Sequence, residues 1–233
     1  MNEPVVTITL PAPVETVWDA FRDFEQVRQW HGWETEGDEG SLDDEIRLIY
    51  GEGVVASEAD RTLHIGGHLF SFVPDGDQTI VRVTRVAPTA AAAQAMDWDA
   101  WYDDVDEGWL SFLHQLRFAL AYHWGETRAT IHLQADRLDG LPGELAAVAG
   151  VGPGERYEAS VADEALSGEV WFRSTRQLGL TVDAWGPGLL VFAVAPSGGA
   201  AITISTYDGD DVERVTRAER WRRWWDAVST STG

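Results

Sequence analysis

The sequence predicts an α+β fold built from two tandem copies of one unit, each a curved antiparallel sheet wrapped around a long C-terminal helix. Three observations predict it. Short β-branched runs with Gly turns fill the middle of each half, a long amphipathic stretch closes each half, and the order of motifs in the first half repeats in the second. The expected boundaries are 1–125 and 126–233. A chain of 233 residues accommodates two small domains, since domains commonly run to roughly 100–150 residues.

Val5 to Leu10 alternates Thr with apolar residues, as a strand covered on one face does, and ends at Pro11. Pro13 suits a first helical turn, and Val14, Val17, Trp18, Phe21 and Phe24 follow at helical spacing. Asp23 to Trp30 continues as a second short helix stopped by Gly32. From Glu45 to Val86 the runs Ile46–Tyr50, Gly53–Ala56, Thr62–Ile65, His68–Val73 and Thr79–Val86 read as strands of a meander. Gly51, Gly66-Gly67 and Asp75-Gly76-Asp77 separate them and supply tight turns. Pro88 and Thr89–Ala95 read as a linker. The carboxylates of Asp103-Asp104-Val105-Asp106-Glu107 are expected at the start of a long helix, where its dipole favours them. Trp109, Phe112, Leu113, Leu116 and Leu120 form the apolar stripe of that helix, which Gly125 closes.

A strand from Arg128 to Leu133 then restarts the pattern. Val6–Leu10 corresponds to Ala129–Leu133, and the hairpin Gly66 to Gly76 corresponds to Gly188 to Gly198. The helix Asp211–Val228, with Trp221, Trp224 and Trp225, matches the Trp109 helix. Gly152-Pro153-Gly154 and Gly186-Pro187-Gly188 read as turns.

Composition excludes several function classes. Net charge is −22, and all 17 basic residues are Arg, so lysine Schiff-base or amine chemistry is absent. Nucleic acid is not an expected partner, because counterion-release binding needs clustered positive charge. The cluster Arg214, Arg217, Arg220, Arg222 and Arg223 is interleaved with Glu213, Glu219 and tryptophans, and reads as the solvated side of a helix. There is no cysteine, hence no disulfide, thiolate catalyst or Cys-ligated metal. No signal-peptide pattern and no apolar run near the ~20 residues of a membrane span is present, so a cytoplasmic protein is expected.

The first half resembles the Hsp90-ATPase-activator-homologue branch of the START/Bet v 1-like (SRPBCC) superfamily. The residues that carry the resemblance are the opening strand followed by Pro13-Val14-Glu15-Thr16-Val17-Trp18-Asp19-Ala20-Phe21, then Gln29-Trp30, and Glu107-Gly108-Trp109-Leu110-Ser111-Phe112-Leu113-His114-Gln115-Leu116-Arg117. The second half resembles the same helix-grip fold by pattern. Its first helical region, Leu141–Ala149, is short and lacks equivalents of Trp18 and Trp30, so it reads as a degenerate copy. The resemblance implies a seven-stranded antiparallel sheet around one long helix, with an intervening cavity that in many relatives holds an apolar small molecule. Relatives include lipid carriers, hormone sensors, aromatase/cyclases and a co-chaperone domain, and fold alone does not choose among them.

Large aromatic residues are abundant in the first half. Core packing explains any one of them, while as a group they point to a lined pocket. The expected ligand-binding residues are Trp30, Tyr50, His68, Phe70, Trp98, Trp101, Trp109, Phe112, Leu113 and Leu116, with an apolar or aromatic small molecule as partner. His31, His64 and His68 as a zinc site is disfavoured by spacing, and no metal or cofactor is expected. His68 or Tyr50 is read as a polar anchor or general acid, and His114, off the apolar stripe, as solvent-facing. Helix capping explains Asp103–Glu107 more simply than paired catalytic carboxylates. No Gly-rich phosphate loop, Gly-x-Ser-x-Gly elbow or His-Glu-x-x-His is present. Three functions follow: a small-molecule-binding protein, a cyclase/dehydratase-type enzyme using a pocket His or Tyr, and a module with a chaperone partner.

Overall fold

The structure is a computed structural model, describing residues 3–34, 41–52, 54–87, 98–138, 140–186, 188–207 and 210–230; the side chains of 52, 98–102, 211 and 230 lie outside that description. It divides into two compact units, Met1–Gly125 and Glu126–Gly233. The expected linker Thr89–Ala95 lies outside the described residues.

Unit 1 opens with β1 (Val6–Leu10), whose Val6, Ile8 and Leu10 are buried while Thr7 and Thr9 face out. Helices α1 (Val14–Ala20) and α2 (Phe24–Val27) follow, with the Asp23 side chain accepting from Glu25 N at the start of α2. Then come α3 (Leu42–Arg47), a π-helical turn over Leu48–Glu52, and strands β2 (Val55–Ser57), β3 (Thr62–Ile65), β4 (His68–Asp75) and β5 (Gln78–Arg85). The sheet is antiparallel and five-stranded, in the order β1-β5-β4-β3-β2, so the first strand pairs with the last and the hairpins stack outward. Gly66, at φ +57, supplies the left-handed residue of the β3–β4 hairpin, in which Ile65 pairs with His68. Helix α4 (Trp98–Phe118), continued by a π turn over Ala119–His123, closes the unit. Its Trp109, Leu113 and Leu116 join Leu63, Ile65, Phe70, Phe72, Val81 and Val83 of the sheet, together with Val17, Trp18, Phe21 and Trp30, in one core.

Two sequence expectations are corrected here. Ile46–Tyr50 is helix and π turn rather than strand: the Ser41 side chain accepts from Asp44 N, Asp43, Asp44 and Glu45 fill the first turn, and Leu42 and Ile46 bury one face. The second concerns Asp103–Glu107. Helix α4 begins at Trp98, so this acidic run lies inside the helix rather than at its cap.

Unit 2 repeats the topology. Strands β6 (Arg128–Ala135), β7 (Arg156–Val161), β8 (Glu164–Arg173), β9 (Gln177–Val182), β10 (Gly188–Val194) and β11 (Ala200–Tyr207) form a six-stranded antiparallel sheet, ordered β6-β11-β10-β9-β8-β7. The opening strand again pairs with the closing one, β6 with β11. A short α5 (Gly143–Ala146) follows β6, and the long α6 (Asp211–Thr230) buries Trp221 and Trp225 against the sheet residues Leu180, Val182, Phe192 and Ile204. The sheets thus have five and six strands among the described residues, in place of the seven the resemblance implied. Both units are nevertheless antiparallel sheets packed on a long C-terminal helix, the α+β helix-grip arrangement. No helix among the described residues is long and apolar enough to cross a membrane.

Candidate functional site

In unit 1 an imidazole, a phenol and a carboxylate meet under α4 in otherwise aromatic surroundings. Their placement starts at the α1–α2 corner. Trp30 is fully buried 4.7 Å from Phe21, and its Nε1 donates to the carbonyl of Ala20 at 3.0 Å, satisfying a group that the end of α1 leaves open. Gly32, at φ +61, then turns the chain so closely against α3 that an added Cβ would stand 2.5 Å from Leu42 Cδ1. That turn fixes His31 against the segment carrying Glu45 and Tyr50. Tyr50 sits in the π turn, an element frequent at functional sites.

Tyr50 Oη lies 2.9 Å from His31 Nδ1, and Glu45 Oε1 makes a longer contact of 3.4 Å with His31 Nε2. The tautomer that serves all three has Tyr50 donating to Nδ1 and the Nε2–H directed at Glu45. His31 is 2% exposed and Tyr50 5%, whereas the Glu45 side chain is 49% exposed, so the string runs from the core to the surface. Its hydrogen bond with His31 holds the Glu45 carboxyl below the usual range. Burial, reinforced by the negative charge of Glu45, pushes the Tyr50 phenol well above its ordinary value, so it stays protonated.

Trp109 of α4 stands amid this group. Its ring centroid is 4.8 Å from Phe70, 5.9 Å from His31, and 6.2 Å from both His68 and Phe112. Trp109 is buried, and its Nε1 has no hydrogen-bond partner among the described residues. Phe112 packs 4.3 Å from His31 and 6.0 Å from Trp33; both Phe112 and Trp33 are half-buried and form the outer rim.

A second polar network ties α4 to the sheet. His68 and Arg85 are directly paired across β4 and β5 and so share a face. His68 Nε2 reaches Asp106 Oδ1 at 2.7 Å, Arg85 Nε donates to Asp106 Oδ2 at 2.7 Å, and a further Arg85 nitrogen donates to Asp103 at 2.5 Å. Asp106 therefore bridges a buried imidazole and a guanidinium.

Of the residues singled out from sequence, Trp30, Phe70, Leu113 and Leu116 have no exposed surface and belong to the packed core of unit 1. Tyr50 and Trp109 both pack against His31, His68 lies against Trp109, and Phe112 is half-buried beside them. The side chains of Trp98 and Trp101 lie outside the described residues. His64 faces solvent, apart from His31 and His68. Among the described residues no group of three or more His, Asp or Glu is placed to hold a metal ion. His114 is corrected: it is mostly buried, and burial, with Arg117 adding to the effect, pushes its pKa down to about 3. Sequence reasoning missed the partners Glu45, Asp106 and Arg85. The i, i+3 spacing of Asp103 and Asp106, which puts both carboxylates on one helix face, was the available signal.

Unit 2 carries a polar network of its own. The β7–β8 turn has Ala162 at φ 53 and Asp163 at φ 56, and it delivers Glu164 to the middle of α6. There Glu164 accepts from Trp185 Nε1 at 2.8 Å and Trp221 Nε1 at 3.1 Å, with Arg220 at 3.4 Å. Trp224 Nε1 donates to Glu144 at 3.0 Å.

No family model matches the chain, and no curated protein matches it. It is similar to the crystal structure of DynU16, a protein from the dynemicin biosynthetic locus, at 18% identity and a TM-score of 0.30, over 97% of this chain and 95% of that one. It is also similar to the di-domain ARO/CYC StfQ from the steffimycin biosynthetic pathway, at 11% identity and a TM-score of 0.33, over 97% and 98% of the two chains. Likenesses this distant carry nothing about the site.

Proposed function

We propose that this chain is a small-molecule-binding protein whose unit 1 holds an apolar or aromatic ligand beneath α4, with unit 2 as a structural or regulatory copy. One observation carries the reading: His31 and Tyr50, backed from the surface by Glu45, lie in an aromatic core with a Trp109 indole that has no hydrogen-bond partner among the described residues. A unit that needed only stability would fill this volume with hydrocarbon, because burying polar groups costs free energy that imperfect pairing does not return. On this reading a ligand reaches the buried groups by displacing the half-buried rings of Trp33 and Phe112, which lie 6.0 Å apart. Binding of this kind quenches or shifts tryptophan emission and raises the melting temperature by mass action. A panel of fatty acids, sterols and polycyclic aromatic metabolites, screened by thermal shift and native mass spectrometry, is expected to give at least one stoichiometric binder. A panel with none overturns the proposal.

A second reading, a cyclase/dehydratase-type enzyme, is favoured by the same string. A phenol hydrogen-bonded to an imidazole that a carboxylate backs can pass a proton to or from a bound carbonyl compound. On this reading Tyr50→Phe abolishes turnover while leaving ligand affinity within a few-fold. Equal loss of both assigns the string to binding alone.

A further inference from the structure

Trp109 makes the recognition chemistry of unit 1 more specific than its apolar character does. An indole N–H donates and cannot accept, so whatever satisfies it carries an acceptor atom. The Trp109 ring is buried among Phe70, Phe112, His31 and His68, and no described residue accepts from its Nε1. The other indoles of known partnership contrast with it: Trp30 donates to a backbone carbonyl, and Trp185, Trp221 and Trp224 donate to Glu164 or Glu144. The charged groups around it are already matched, Glu45 with His31 and Asp106 with His68 and Arg85. A ligand bringing a further charge would leave it buried and unpaired, at a heavy desolvation cost.

We propose that the Trp109 N–H is the recognition donor of unit 1, and that its ligand is a neutral molecule presenting a carbonyl or ether oxygen from an apolar ring body. This rests on the ligand-binding reading of unit 1 and goes beyond it by naming the acceptor group and the residue that selects for it. Trp225 on α6 is a natural control, since its Nε1 is also buried without a partner among the described residues. Its ring neighbours among the described residues, however, are Phe192 and Trp224 rather than imidazoles.

The test uses the full chain and two matched probes, 2-acetylnaphthalene and 2-ethylnaphthalene, titrated by tryptophan fluorescence and calorimetry. The ethyl compound is the more apolar of the two, so burial alone favours it. The wild type is expected to prefer the ketone by about tenfold, the worth of one well-made hydrogen bond in a buried site. Trp109→Phe is expected to erase that preference, and Trp225→Phe to leave it. Equal binding of both probes by the wild type overturns the donor role while leaving the ligand-binding reading standing. So does a preference that survives Trp109→Phe, or one that Trp225→Phe removes equally. Failure of both probes to bind wild type overturns the donor proposal in this form, and the broader panel described above then decides the parent reading separately. Should Trp109→Phe fail to fold, site-specific 3-benzothienylalanine at position 109 keeps the ring shape, removes only the N–H, and is judged by the same outcomes.

Discussion

Replacing Tyr50 by Phe removes one oxygen from the centre of the site and keeps the ring. The ring contacts, 5.9 Å to Trp30 and 5.1 Å to His31, are retained, so the packing loss is small. What is lost is the 2.9 Å hydrogen bond to His31 Nδ1, in a position only 5% exposed. Leaving His31 Nδ1 without this buried partner is expected to cost about 1–3 kcal/mol, more than the net worth of a typical hydrogen bond, because the orphaned atom keeps its full desolvation penalty. For a chain of this size each kcal/mol lowers the melting temperature by about 2–4 °C. The assay is urea unfolding of wild type, Tyr50→Phe, His31→Phe and the double variant. The two single losses should sum to more than the double, with a coupling of about 1 kcal/mol or greater. Additive losses would refute the pairing, and a Tyr50→Phe chain as stable as wild type would refute the claim that the phenol is anchored.

Three further outcomes follow from the same geometry. His114 has a folded pKa of about 3, so the folded state declines a proton that the unfolded chain takes near the ordinary value of 6.5. Its contribution is therefore fully present above pH 6.5 and lost as pH falls from 6.5 toward 3. Stability should drop by roughly 1 kcal/mol per pH unit from this group between pH 6.5 and 5, a slope that His114→Gln removes in pH-dependent denaturation. Asp106→Asn takes away the charge shared by His68 and Arg85, and is expected to cost about 2 kcal/mol and to speed hydrogen exchange in α4, measured by mass spectrometry. Gly168→Ala would set a Cβ 2.0 Å from the backbone oxygen of Thr181, where nothing yields cheaply, and should destabilise unit 2 by about 3 kcal/mol. Gly143→Ala, with open space around it, serves as the near-neutral control in thermal melts.

The strands of each meander were legible because alternation and hairpin glycines are local signals. Thr62–Ile65 is a strand with the bounds expected, and Gly66 turns as its neighbours require. Ile46–Tyr50 was not legible as helix, since a five-residue apolar run fits either period and the deciding signal is the Ser41 cap upstream of it. The start of α4 was hidden by an acidic run that resembles a cap, while Asp106 in fact reaches across to His68, 38 residues away. His31 and Tyr50 are 19 residues apart and meet only because Gly32 and the π turn aim them at one another. Composition announced an aromatic-rich unit; which polar groups share its interior is a tertiary fact, set by contacts between elements that no local pattern encodes.

The central claim is that a small molecule binds beneath α4. Hydrogen exchange measured by mass spectrometry, with and without the tightest compound from the ligand panel, tests it most directly. Binding there slows exchange in α4 and in the Ser41–Glu52 segment and leaves the strands of unit 2 unchanged. Protection confined to unit 2, or a saturating ligand that protects neither α4 nor Ser41–Glu52, would contradict it.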